Sequence, residues 1–102
     1  MARIGNMDGE PLHTRVEKSI LTTLGEIVLE SHHGFPHNES NLYLVSKTGK
    51  IIWKAEKPDV NTLYSRIRLA EDGYILSTYT IGGHACDLDL KTGKIISQTK
   101  MQ

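Results

Sequence analysis

The sequence predicts an all-β, antiparallel fold that is built by internal repetition. The hexapeptide Lys-Thr-Gly-Lys-Ile-Ile occupies residues 47–52 and returns letter for letter at residues 91–96. Each copy has a polar tip that contains glycine and leads into an apolar strand, which is typical of a β-hairpin. Apolar residues otherwise recur with period two or in short runs, and no window has the i, i+3, i+4, i+7 spacing of an amphipathic helix.

Eight segments are predicted as strands, each close to the usual ~5–6 residues. They are residues 20–23, 26–31, 41–46, 51–56, 65–70, 74–80, 85–90 and 95–100. Residues 12–17 are a weaker candidate, which residues 2–5 could pair with. Gly49, Gly73 and Gly93 each end a polar tip, where a left-handed glycine closes a hairpin.

A third, degraded copy of the repeated tip is found at residues 8–12. The tip glycines Gly9, Gly49 and Gly93 are 40 and 44 residues apart, and a period of about 40–45 residues is typical of four-stranded propeller blades. We therefore expect a single β domain over residues 1–102. It consists of a partial repeat at 1–17 and two blade-like units at 18–57 and 58–102.

The second half of each unit resembles the repeat of pyrroloquinoline-quinone-type (quinoprotein-like) β-propellers. Tyr43, Gly49 and Trp53 match that repeat in the first unit, and Asp89 and Gly93 match it in the second. Ser46 stands where the family has Asp, and Ser97 stands where it has Trp. The resemblance implies that tryptophan-mediated docking between blades occurs at most once per chain. The family's cofactor and calcium residues cannot be placed on this sequence, so we expect no cofactor.

A propeller ring of this kind needs about four to eight blades, and this chain supplies two and a fragment. Several chains could complete a ring, or the chain could be a piece of a longer propeller. Alternatively, two four-stranded sheets could form an eight-stranded sandwich or flattened barrel. The first and the last of these leave sheet surface or edges that favour self-association, so we expect a homo-oligomer.

Composition excludes several classes of function. Lys plus Arg equals Asp plus Glu at 12 each, which removes the electrostatic argument for binding nucleic acid or an anionic membrane. No apolar run approaches the ~20 residues that cross a bilayer, and residues 1–11 lack the apolar core of a signal peptide. A single cysteine agrees with a reducing compartment. If the chain is complete, we expect a cytoplasmic protein.

The candidate ligand-binding residues lie on the looser loops, which alternating strand direction places at one end of the sheets. These residues are His32, His33, His37, Tyr64 and His84. Converging imidazoles bind divalent metals, but solvated loop histidines are the more frequent arrangement, and we assign no metal ligand. Cys86 is expected to be a buried, inert thiol.

From these observations we expect a non-enzymatic, oligomeric binding or scaffold module whose small-molecule ligand the sequence does not identify. The alternative is a small metal-dependent or histidine-based enzyme with its site at the loop end of the sheets. No phosphate-binding loop, nucleophile elbow or zinc-protease motif is present in the sequence.

Overall fold

Eight strands form two antiparallel sheets in the computed structural model, which describes residues 11–101. The first sheet, sheet A, has the order β1-β2-β3-β4, and the second, sheet B, has the order β5-β6-β7-β8. The strands are β1 (Val16–Thr22), β2 (Gly25–Glu30), β3 (Leu42–Val45), β4 (Ile51–Lys54), β5 (Tyr64–Leu69), β6 (Ile75–Thr80), β7 (His84–Asp89) and β8 (Ile95–Lys100).

The prediction of an all-β, antiparallel fold with two four-stranded sheets is confirmed. Every one of the eight predicted strands is present, with shifts of a few residues at the ends. Each sheet is a meander in which sequence neighbours pair. The two sheets are not joined by strand pairing, so the flattened barrel among the alternatives is wrong. Along residues 11–101 there is no helix long and apolar enough to cross a membrane.

The separate strand predicted at residues 12–17 is wrong. Only its last two residues are extended, and they belong to β1. The backbone N–H groups of Leu12, His13 and Thr14 instead donate to the side-chain carboxylate of Glu30. A carboxylate that gathers three successive amides curls the backbone, so those amides cannot form a strand ladder. The predicted strand at residues 2–5 and the tip of the partial repeat at Gly9 lie outside the described residues.

The hairpin glycines adopt the left-handed conformation that the sequence predicts. Gly49 has φ 89°, Gly73 has φ 76° and Gly93 has φ 73°. The two copies of the hexapeptide nevertheless close different turns. Ser46 N–H donates to the Lys50 carbonyl over 2.7 Å, whereas Asp89 N–H donates to the Lys94 carbonyl over 2.9 Å, which makes the second turn one residue longer.

The two sheets stack in the same sense, which means that the inner face of sheet A packs on the face of sheet B that corresponds to the outer face of sheet A. Backbone hydrogen bonds show this arrangement. The carbonyl of the core residue Leu42 accepts from Ala55, just beyond β4, whereas the N–H of the core residue Leu90 donates back to Tyr74, just before β6. In a strand of L-residues, the edge to which a residue's backbone groups point fixes the face that its side chain occupies. Sheet A therefore buries one kind of face and sheet B buries the opposite kind.

The main core fills the space between these two inner faces. Ile27 and Leu44 of sheet A and Leu76 and Leu88 of sheet B are fully buried in one cluster. A smaller cluster of Val28, Tyr43 and Val45 lies on the other face of sheet A. Burying apolar surface on both faces of sheet A explains why β2 and β3 are nearly continuous apolar runs.

Polar contacts help to fix the position of one sheet against the other. The Trp53 indole N–H donates to the Leu90 carbonyl over 2.8 Å, and its ring lies against Gly93. Glu56 N–H donates to the Gly93 carbonyl over 2.9 Å. Lys18 Nζ donates to the Ile67 carbonyl over 3.0 Å, which ties β1 to β5.

Candidate functional site

A cavity of about 140 Å³ opens where the ends of β1 and β2 meet the start of β5. Its walls come from both sheets and from the loop that follows β2. The lining residues are Arg15, Glu17, Leu29, Glu30, Ser31, His32, His33, Tyr64 and Ser65. The cavity is smaller and more polar than the usual ligand pocket of about 300–1,000 Å³, so it suits only a small polar ligand.

Glu30 forms the most highly hydrogen-bonded part of the wall. Its side chain is fully buried, and its carboxylate accepts bonds from the N–H groups of Leu12, His13 and Thr14 and from the Tyr43 hydroxyl. Burial by itself raises the pKa of Glu30, but the hydrogen bonds from Thr14, Tyr43, Leu12 and His13 outweigh it and hold the pKa below the ordinary value. Glu30 is therefore ionised, and its hydrogen bonds hold the segment from Leu12 to Thr14 against sheet A.

Tyr43 is held in its neutral form by the same contact. Burial, followed by the hydrogen bond to Glu30 and the charge of that carboxylate, raises the pKa of Tyr43 well above its ordinary value. A neutral phenol that donates to an ionised carboxylate satisfies both buried groups. The pair thus has a structural role, and its single proton, on the Tyr43 hydroxyl, is not available for transfer at neutral pH.

Asn41 joins the two sheets behind the cavity. Its Nδ2 donates to the carbonyls of Glu30 and Tyr64 at 2.8 Å each, and its Oδ1 accepts from Tyr64 N–H over 2.9 Å. The side chain is fully buried. The strands β2 and β5 belong to different sheets and do not pair with each other. The Asn41 side chain therefore supplies hydrogen-bond partners to their backbone groups.

Lys57 holds the loop that follows β2 and carries His32, His33 and His37. Its ammonium group donates to the carbonyls of His37, Glu39 and Val60. Burial lowers the pKa of Lys57, with a smaller opposing effect from Asp59. Because its three carbonyl partners lie on both segments, Lys57 connects the loop after β2 to the loop before β5.

The structure brings together three of the five predicted ligand-binding residues. His32, His33 and Tyr64 line the cavity, and the His32 and His33 rings lie with their centroids 4.2 Å apart. Burial, together with the neighbouring His33, lowers the pKa of His32, so its ring is neutral at neutral pH. Tyr64 is fully buried, and its hydroxyl donates to the Glu56 carbonyl.

The other two predicted residues do not line the cavity. His37 is exposed, and its backbone carbonyl is one of the Lys57 partners. His84 begins β7, and its Nδ1 lies 3.2 Å from the Thr80 hydroxyl oxygen. Within residues 11–101, no group of three or more His, Cys, Asp or Glu side chains is arranged to hold a metal ion.

Cys86 is buried, as the sequence predicts. Burial raises the pKa of its thiol, and the neighbouring Asp87 adds to the effect. A buried thiol of raised pKa is a poor nucleophile because the reactive thiolate is scarce. Asp87 itself lies on the outer face of sheet B, where its carboxylate accepts from Ser77 over 3.2 Å and from Ser97 over 3.4 Å.

The sequence did not predict three residues of this region, namely Glu30, Asn41 and Arg15. Glu30 gave one usable signal, because it is a lone charge that ends the apolar run Ile27-Val28-Leu29 and shares the strand face of Val28. Asn41 gave none, since one of its partners, Tyr64, belongs to the other sheet. Arg15 gave none either, because its place beside the cavity depends on residues of β2 and β5.

The fold and the cavity define an all-β protein of two stacked antiparallel sheets with a polar pocket between their ends. A scan of protein-family models found no match to this chain, and searches of curated proteins and of solved structures found none either.

Proposed function

We propose that this chain is a non-enzymatic binding or scaffold module that works as a homo-oligomer. The observation that carries the proposal is the same-sense stacking of the two sheets, since such stacking pairs unlike faces and leaves the outer face of sheet B uncovered by the described residues. The Trp53 ring of sheet A packs against the Gly93 turn of sheet B. This contact supports the interpretation of the two sheets as neighbouring propeller blades.

The non-enzymatic part of the proposal is supported by the state of the reactive groups. The Glu30 carboxylate accepts hydrogen bonds from backbone N–H groups, and the Lys57 ammonium donates to backbone carbonyls. The Cys86 thiol is buried. Groups that are held this way stabilise structure and are not free to attack or to transfer a proton. Binding is then the function that the geometry supports best.

The ligand site that we propose is the cavity beside His32, His33 and Tyr64. Its volume limits the ligand to a few heavy atoms or to one end of a larger molecule. A screen of small carboxylic acids, amines and amides by two-dimensional NMR tests it. We expect shifts at His32, His33 and Ser65, and shifts confined to His37 and His84 would contradict this placement.

The oligomeric part is tested by the mass in solution. Analytical ultracentrifugation over a micromolar to millimolar range should give a mass above that of one 11.4 kDa chain. A single species of that mass at every concentration would refute the oligomer.

One observation favours a second function, a histidine-based enzyme. The lowered pKa of His32 leaves a neutral imidazole beside the cavity, which is the state that a general base requires. Hydrolysis of activated esters by the protein and by His32→Ala tests it. A rate equal in the two proteins rejects the histidine mechanism. A metal-content measurement and thermal shifts with divalent ions test the metal-dependent form.

A further inference from the structure

The outer face of sheet B is a continuous surface that no described segment of the chain covers. Residues directly across from each other share a face, and the strand registers place Arg68, Ser77, Asp87 and Ser97 in one row across all four strands. The neighbouring row includes Arg66 and Tyr79. The residues of this face on β6 and β7 are only half-buried, although both are central strands of the sheet.

The charges on this face are arranged in two columns of opposite sign. Arg66 and Arg68 lie on β5, and Asp87 and Asp89 lie on β7, with β6 between them. Neither ion pair found among residues 11–101 includes any of these four residues. Arg66 does lie over the Tyr79 ring, 5.8 Å from its centroid. The face is therefore neutral as a whole and split into a positive and a negative half.

Sheet A offers no continuous open face to match. Its inner face packs on sheet B, and the centre of its other face is closed, with Val28, Tyr43 and Val45 at 7%, 4% and 3% exposed, while the edge residues Leu21 and Ile52 are 81% and 48% exposed. A copy with two open, unlike faces would add further copies into a ring or a fibre. A copy with a single open face can satisfy it by pairing with itself, and this favours a closed dimer.

From these observations we infer that two copies of this chain pair through the outer faces of their B sheets about a two-fold axis that runs along β6. This inference rests on the oligomer proposed above and assigns its interface. Such an axis places β5 of one copy over β7 of the other and keeps each row in register. Arg68 then faces Asp87 of the second copy, and the same pair forms twice.

The distances allow this pairing. Sheets that pack face to face lie ~10 Å apart, which the combined lengths of an arginine and an aspartate side chain can span. Three overlapping strands of about six residues cover roughly 15 Å by 20 Å. This is roughly 600 Å² for the two copies together, below the size of stable specific interfaces, so we expect a weak, transient dimer with a dissociation constant of about 100 μM or higher.

Charge reversal tests the interface directly. We expect Arg68→Glu and Asp87→Arg, each alone, to weaken dimerisation at least tenfold, because each places like charges opposite each other twice. Mixing the two variants should restore a dimer that contains one chain of each, and the double variant Arg68→Glu/Asp87→Arg should dimerise with itself. Lys54→Glu, a reversal of an exposed charge on sheet A, is the matched control and should leave the mass unchanged.

Sedimentation velocity of the wild type, each variant and the mixture measures these masses, and circular dichroism checks that each variant is folded. If a variant fails to fold, the salt dependence of the wild type is the second measurement. Raising NaCl from about 0.05 to about 0.5 M should shift the wild type toward monomer.

The possible failures are distinguishable. The wild type could be oligomeric while neither charge-reversal variant nor high salt changes the mass. That result would refute this face as the interface and leave the proposed oligomer standing. A wild type that is monomeric at every concentration refutes both, and would mean that a further segment or a different protein covers the face.

Discussion

Glu30 holds the beginning of the described chain against sheet A, and it does so with a charge that is removed from water. Three successive N–H groups and two hydroxyl groups, those of Thr14 and Tyr43, surround its carboxylate. A buried carboxylate is tolerated only when such donors replace its hydration. The segment from Leu12 to Thr14 is therefore fixed by one side chain.

Glu30→Gln should destabilise the fold by about 2–4 kcal/mol at pH 7, because a buried charged acceptor is replaced by an amide whose NH₂ group faces donors. Urea unfolding measures the loss. Glu39→Gln is the matched control. The Glu39 side chain is 39% exposed and pairs with His13 at the surface, so its loss should cost less than about 1 kcal/mol. Equal losses in the two variants would contradict the special role of Glu30.

The stabilisation by Glu30 should depend on pH in one direction. Its pKa is lowered by folding from an unfolded value of 4.5, so its contribution is fully present above that value and disappears as the pH falls through the folded pKa. The difference in unfolding free energy between wild type and Glu30→Gln should therefore shrink below about pH 4.5. Urea unfolding at neutral and acidic pH measures it, and a difference that grows with acid would refute the ionised, hydrogen-bonded state.

Cys86 should be unreactive in the folded protein. It is 2% exposed, and burial raises the pKa of its thiol. An aromatic disulfide reagent should modify it only as fast as the chain opens, and at the rate of a free thiol in urea. Fast modification without denaturant would mean that the core around β7 opens easily.

At the scale of the element, the two copies of the hexapeptide have the same letters and different surroundings. A Cβ atom built on Gly49 meets nothing within 4 Å, whereas one built on Gly93 lies 2.5 Å from Cε3 of Trp53. Both glycines have positive φ, so both turns carry the same conformational constraint. Only the second turn is also a contact between sheets.

Gly49→Ala should cost about 1 kcal/mol from backbone strain alone. Gly93→Ala should cost about 3–5 kcal/mol, since the new methyl group also displaces the Trp53 ring. Thermal and urea unfolding of both variants measure the difference. In a Trp53→Ala background the excess cost at Gly93 should vanish, and a cost that persists there would exclude the indole contact as its cause.

At the scale of the whole molecule, polar groups join the two sheets, and the Asn41 side chain is fully buried between them. It bonds to Glu30 at the end of β2 and twice to Tyr64 at the start of β5. Without this side chain, the Tyr64 N–H and two carbonyls would be buried with no partner.

Asn41→Leu should lower the free energy of unfolding by about 3–5 kcal/mol, because it leaves three buried backbone groups unsatisfied. Hydrogen exchange should show the Tyr64 amide losing protection. Asn61→Leu is the control, since Asn61 is exposed and its substitution should change stability by less than about 0.5 kcal/mol. Unchanged protection at Tyr64 in Asn41→Leu would exclude the clamp.

The candidate site was only partly predictable. The loop positions of His32 and His33 follow from the turn pattern, and both line the cavity. Tyr64 also lines the cavity, as predicted, but its side chain is fully buried and belongs to the core. Arg15 follows the curled segment before β1, which the sequence suggested was a strand, and Glu30 at the end of β2 holds that segment in place. A local pattern cannot reveal that a carboxylate 16 residues away captures its amides.

The sequence by itself determined the elements of this protein. Period-two apolar segments and glycine-tipped turns specify eight antiparallel strands and two meanders, because side-chain alternation and left-handed glycines act within a few residues. Only the tertiary structure decided how the sheets meet. The turn that is one residue longer at Gly93 shifts β8 by one position against β7. Ser97 therefore lies opposite Asp87 on the outer face, whereas Trp53, at the same place in the first copy, lies opposite Leu44 in the core. Which face each residue of β8 occupies thus depends on long-range packing that identical letters cannot encode.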